Sequence, residues 1–177
     1  MKPVLLAAAV LLAAPALAQE VAEADREAIA ARVAEFDQAM RSGDMAGTVA
    51  FMPDRVKGAI AAGAGVTEAE LEEAMAARIE AVMQGVTIDD FGMDVGAATL
   101  HETPDGSRAY ALIPTVTVMT AEGAGQVRAA SQTLALQDEG EWYLLRIDDP
   151  SQVSVLQAAY PEFAGVAFEP GTVEPVQ

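Results

Sequence analysis

The one side chain able to trade a proton near neutral pH is His101, since the chain has a single histidine and imidazole titrates in that range. A general base needs an orienting partner, and Asp94, Glu102 and Asp105 stand close enough in sequence to serve. Nothing in the spacing places these groups around a cavity. A histidine near a strand end before the Pro104 turn needs no role beyond facing solvent, so His101 is a weak catalytic candidate. Oxygen ligands for calcium occur at Asp89-Asp90 with Asp94 and at Asp148-Asp149. Neither run has a calcium-loop spacing, and no metal site is expected. Ser42, Ser107, Ser131, Ser151 and Ser154 lie in no nucleophile-elbow context. Gly63-Ala64-Gly65 is not followed by the Lys-Ser/Thr of a phosphate loop, and no cofactor motif is present. With no cysteine, thiol catalysis, thiolate metal sites and disulfides are excluded.

The address is written in the first residues. Lys2 precedes the uncharged apolar run Val4 to Ala14, and Pro15-Ala16-Leu17-Ala18 offers small residues where a signal peptidase cuts. The run is too short to span a bilayer, which takes about 20 apolar residues. Export to the periplasm or exterior is therefore expected, with 1–18 as signal peptide. Cleavage after Ala18 leaves 177 − 18 = 159 residues, enough for one domain with a real core. No cysteine follows the run, so a lipid-anchored form is not expected. The whole chain carries −17, and losing Lys2 makes it −17 − 1 = −18. Such a surface repels phosphate backbones and anionic lipid, so neither nucleic acid nor, after signal removal, a membrane is an expected partner. Cationic ligands or basic partners would be drawn in by it, but solubility is enough to account for the charge.

The elements that must position any site follow from periodicity. Ile29, Val33, Phe36 and Met40 recur at helical spacing, and Gly43 closes that helix. Asp44 caps a short second helix through Phe51-Met52, stopped by Pro53. Residues 54–66, rich in Ala and Gly, read as a connector. Thr67-Glu68-Ala69-Glu70 is a capping box opening a helix with Leu71, Met75, Ile79, Val82 and Met83 on its apolar face. Beyond Gly85 the period falls to two. Val86 to Thr99 reads as extended and bulged near Asp89 to Gly92. After a turn at Pro104 to Ser107 comes a strand from Arg108 to Thr120, with Pro114 requiring a bulge or an edge. Strands Gln126 to Leu136 and Trp142 to Ile147 complete an antiparallel meander. Asp149-Pro150-Ser151-Gln152 opens a short last helix. The domain is expected over 19–163, and the tail 164–177 carries too little pattern for an ordered element.

The segment Ser42-Gly43-Asp44-Met45-Ala46-Gly47-Thr48-Val49-Ala50-Phe51 follows an amphipathic helix and precedes a helix and a meander, whose last strand begins Gly140-Glu141-Trp142-Tyr143. That order, over about Asp25 to Ile147, resembles the nuclear transport factor 2-like superfamily, which includes ketosteroid isomerases and polyketide cyclases. The resemblance implies an α+β fold: N-terminal helices packed on a curved antiparallel sheet, a cystatin-like cone with an internal cavity. In the isomerases a tyrosine on the first helix serves the oxyanion hole beside an Asp base. Those places fall here on Phe36 and near Ile60, which have neither hydroxyl nor carboxylate, so the isomerase mechanism does not carry over.

If the cone exists, its cavity is expected to be lined by Phe36, Met40, Phe51, Met52, Tyr110, Leu112, Trp142 and Leu144. These readings together favour a non-catalytic accessory module binding a small apolar or amphipathic molecule or a protein partner. The alternatives are a periplasmic isomerase, dehydratase or hydrolase using His101 or a cavity carboxylate, and a module that forms a homodimer through its sheet.

Overall fold

A computed structural model describes residues 14–123 and 125–176. The expected signal peptide lies outside them over 1–13; Ala14 to Ala18 belong to the first turns of helix α1 (Ala14–Ser42). The α1 stripe is buried as its spacing predicts, with Ile29 at 1% and Val33 at 8% exposure. Each such side chain contributes about 1.5–3 kcal/mol by leaving water. Gly43 takes a left-handed φ of 78° to end the helix. Asp44 Oδ1 then accepts from the Gly47 N–H at 2.8 Å, opening the 3₁₀ segment Ala46–Phe51.

The expected connector is instead a helix, α2 (Asp54–Ala64). Its alanines are the strongest helix formers and outweigh Gly58 and Gly63. Val56 and Ile60, four apart, give it an apolar side to bury. Gly65, at φ 70°, caps it. Helix α3 (Glu68–Met83) begins with both halves of the Thr67–Glu70 capping box in place. Its apolar stripe, however, is not covered as expected: Leu71 alone is buried, and Val82 is 54% exposed.

The strands are β1 (Val86–Met93), β2 (Thr99–Glu102), β3 (Ala109–Ala121), β4 (Gly125–Asp138), β5 (Glu141–Ile147) and β6 (Thr172–Pro175). They form one curled antiparallel sheet in which β3 and β4 are central. β1 and β2 lie end to end along β3, and β5 and β6 end to end along β4. A bulge at Asp89 shifts the β1 register, as expected. Val95–Ala97, expected to be extended, is a 3₁₀ turn because Asp94 Oδ1 captures the Ala97 N–H at 3.0 Å.

That turn also resolves Pro114, which sits neither at a bulge nor at an edge. β3 and β4 stay in register through Pro114↔Gln132. The Pro114 carbonyl accepts from the Asp94 N–H at 2.9 Å, on the side where β1 has ended and β2 has not begun. The donor that proline lacks would have pointed into that gap, so no ladder bond is lost.

Helix α4 (Pro150–Ala159) is capped by Asp149 and Gln152 as the sequence predicts. The tail from Ala164, expected to lack order, lays Phe168 on the core and pairs β6 with Val127 to Ala130 of β4.

Two apolar clusters lie on opposite faces of the sheet. One joins Ile29, Val33 and Phe51 to Ala111, Ile113, Ala135, Trp142 and Leu144. The other joins Leu134, Leu136, Leu145 and Ile147 to Val56, Leu156, Tyr160 and Phe163. Alternate residues of the same strands thus serve different layers.

Candidate functional site

The face toward α1 is filled near Ile29 and hollow beyond Phe36. A cavity of about 330 Å³ opens between the C-terminal ends of α1 and α3 and the sheet. Its helix side is Phe36, Met40, Val82 and Met83; Val86, Ile88, Phe91 and Met93 of β1 form one wall. The Asp89 bulge keeps those four β1 residues on one face, since strict alternation would have turned Phe91 and Met93 away from Ile88.

The sheet floor is different in chemistry. Thr115 and Thr117 of β3 and Ser131 and Thr133 of β4 line it, with Arg146 of β5 beside Thr133 in the register. The Thr115 and Thr133 hydroxyls are 2.7 Å apart, and Thr115 Oγ1 is 3.1 Å from the Ile113 carbonyl. With Thr115 donating to that carbonyl and Thr133 to Thr115, both protons are used. The Thr117 and Ser131 hydroxyls make no hydrogen bond among the described residues, which leaves them for an occupant. Arg146 Nε donates to Asp148 Oδ2 at 2.6 Å, and a second nitrogen bridges the same carboxylate. Among the described residues this lining has no carboxylate and no histidine.

The expected cavity residues divide. Phe36, Met40 and Leu144 line the hollow. Phe51 packs edge-on against Phe36, with ring centroids 5.1 Å apart, and Trp142 is core on the same face. Met52 lines a second cavity, between α2 and α4. Tyr110 and Leu112 lie on the opposite face, where Tyr110 packs on Phe163. The alternation of β3 offered two faces, and it is Ala111 and Ile113 that meet α1. Ile60 also belongs to the far layer.

His101 is exposed and stacks on Tyr110 at 5.2 Å, with Nε2 at 2.9 Å from Thr99 Oγ1. It therefore shares the far face, away from the hollow. Asp105 binds the Thr103 hydroxyl and then the Ser107 hydroxyl and N–H, which hold its carboxyl below the usual range; it is a turn residue. Among the described residues no three His, Asp or Glu side chains stand together as a metal set.

One polar cluster escaped sequence reasoning. Tyr160, fully buried, donates to Asp138 Oδ2 at 2.8 Å. Arg108 lies over its ring at 4.6 Å, bridges Asp138 at 3.2 Å and Glu162 at 2.7 Å, and donates to the Gln137 carbonyl. Burial, then the Asp138 hydrogen bond and charge, push the Tyr160 hydroxyl far above its ordinary range. No local pattern announces partners 22 and 54 residues apart. Arg55 of α2 adds a contact to Asp138 at 3.6 Å; the cluster ties β3, β4 and α4 together and does not line the hollow, so its role is structural.

Compared with known proteins, the chain matches no family model, no curated protein and no solved structure.

Proposed function

We propose that this chain is an exported, acidic ligand-binding module, which holds a small apolar or amphipathic molecule against the face of its sheet that is turned toward α1. The observation that carries the reading is the lining itself: apolar side chains on the helix side, a strip of hydroxyls on the floor, and, among the described residues, no carboxylate or imidazole. Binding sites for small molecules share this balance, with a few polar groups orienting a mostly apolar occupant. The leader-like start Lys2 to Ala18 supports export. The α1 stripe set against a curled sheet supports the resemblance to nuclear transport factor 2-like cones. The isomerase, dehydratase or hydrolase alternative has no base at the hollow, because His101 stacks on the other face. The homodimer reading is weakened too: Leu134, Leu136, Leu145 and Ile147 are covered by the chain's own C-terminal segment.

Nile red titrated into the full chain tests the reading. One probe per chain is expected to bind, and substitution of Met119, a β3 residue that also lines the hollow, by the larger tryptophan (Met119→Trp) to weaken binding about tenfold or more without lowering the melting temperature. Equal binding by both proteins would overturn it.

A further inference from the structure

The second cavity, about 420 Å³, lies between Met52, α2, α4 and β5, and it shares Phe36, Leu144 and Arg146 with the concave hollow. Four consecutive β5 residues, Leu144 to Ile147, border it. Successive strand residues point to opposite faces, so a space touching all four must look onto the outer edge of the strand. Alternate backbone groups there point away from β4 and have no sheet partner. The two cavities therefore border a common polar joint, the β5 edge plus Arg146, with a mostly apolar chamber on either side: the hollow has its strip of hydroxyls, and the second cavity has Thr48, Ser151 and Gln152. Arg146 is half-exposed, at 55% for its side chain, which puts the joint at the rim rather than deep inside.

The charge at this joint selects further. Asp148, with its side chain only 12% exposed, already neutralises Arg146. The whole chain carries −17, a field that repels anions. What the guanidinium still offers is N–H donors beyond those spent on Asp148, and these suit an uncharged acceptor oxygen. We propose that the ligand is an uncharged two-armed lipid, two apolar chains joined by an ester, with its oxygens at Arg146 and one chain in each chamber. This rests on the binding function proposed above and adds the chemical class of the occupant.

Methionine methyl NMR on the full chain separates the two claims, because Met83 and Met119 line the hollow and Met52 the second chamber. Hexyl hexanoate is expected to shift Met52, Met83 and Met119 together along one saturation curve, and hexanoate anion to bind more weakly. Shifts at Met83 and Met119 without Met52 would overturn the two-armed ligand and leave the binding module standing. Tighter binding of hexanoate would overturn the uncharged class. No shift with either probe, together with no Nile red binding, would remove both proposals; no shift beside a bound Nile red removes only this one. Arg146→Gln is expected to weaken the ester about tenfold and to weaken dodecane, which has no oxygen, far less. Equal loss for dodecane would show that Arg146 shapes the wall rather than holding the oxygens.

Discussion

The two faces of the sheet are built from alternate residues of the same strands, yet over the central strand β4 one is filled and the other hollow. On β4, Leu134 and Leu136 are fully buried beneath Tyr160 and Phe163, while Ser131 and Thr133, one residue out of phase, floor an open cavity. The difference lies in what the covering segments bring. The far face receives large side chains from α4 and the residues after it, ending in the Tyr160–Asp138–Arg108 cluster. The near face receives α1, which fills it only as far as Phe36, and α3, whose stripe stays half outside. Threonine and serine on the floor keep strand-compatible backbones without filling the space above them. A face can thus be filled or left open, according to which side chains are withheld.

Substitutions can break this contrast. The largest effect is expected at Phe163→Ala, which should cost about 3–5 kcal/mol in urea unfolding, because removal of a fully buried ring leaves a void its neighbours fill only in part. A loss near 1 kcal/mol would mean that the far face is no better packed than the near one. Asp138→Asn should cost about 2 kcal/mol, the usual worth of hydrogen bonds to a buried charge, and Tyr160→Phe, which removes one bond to that carboxylate, about 1.5 kcal/mol, the low end of the same range. On the hollow face, Thr133→Val should cost about 1 kcal/mol or less, since it removes one hydroxyl bond and keeps the shape. Its effect should fall on Nile red affinity instead. Smallest of all, Val82→Ala on exposed α3 should change stability by less than about 0.5 kcal/mol. If Val82→Ala destabilised as much as Phe163→Ala, α3 would have to be packed elsewhere.

Local chemistry was readable from the chain, and tertiary choice was not. Thr67–Glu70, Asp149–Gln152 and Gly43 each carry their cap within a few residues, and each is found in place. The α1 stripe was equally plain. The face to which β3 presents Tyr110 could not be read, because a period of two assigns residues to sides without saying which side meets α1. Helix α2 was hidden by glycines whose cost its packing offsets. The floor hydroxyls and Arg146 are scattered over β3, β4 and β5 and became a site only through register. Pro114 misled for a similar reason: the gap that excuses it is made by the distant Asp94 turn.

Xenon-pressurised methyl NMR puts the hollow itself to the test, since xenon enters dry apolar cavities and ignores filled ones. Met83 and Met119 methyl signals are predicted to shift with xenon pressure while those of Leu134 and Leu136 stay fixed. Unmoved methionines, or leucine shifts of equal size, would contradict a β4 strand filled on one face and hollow on the other.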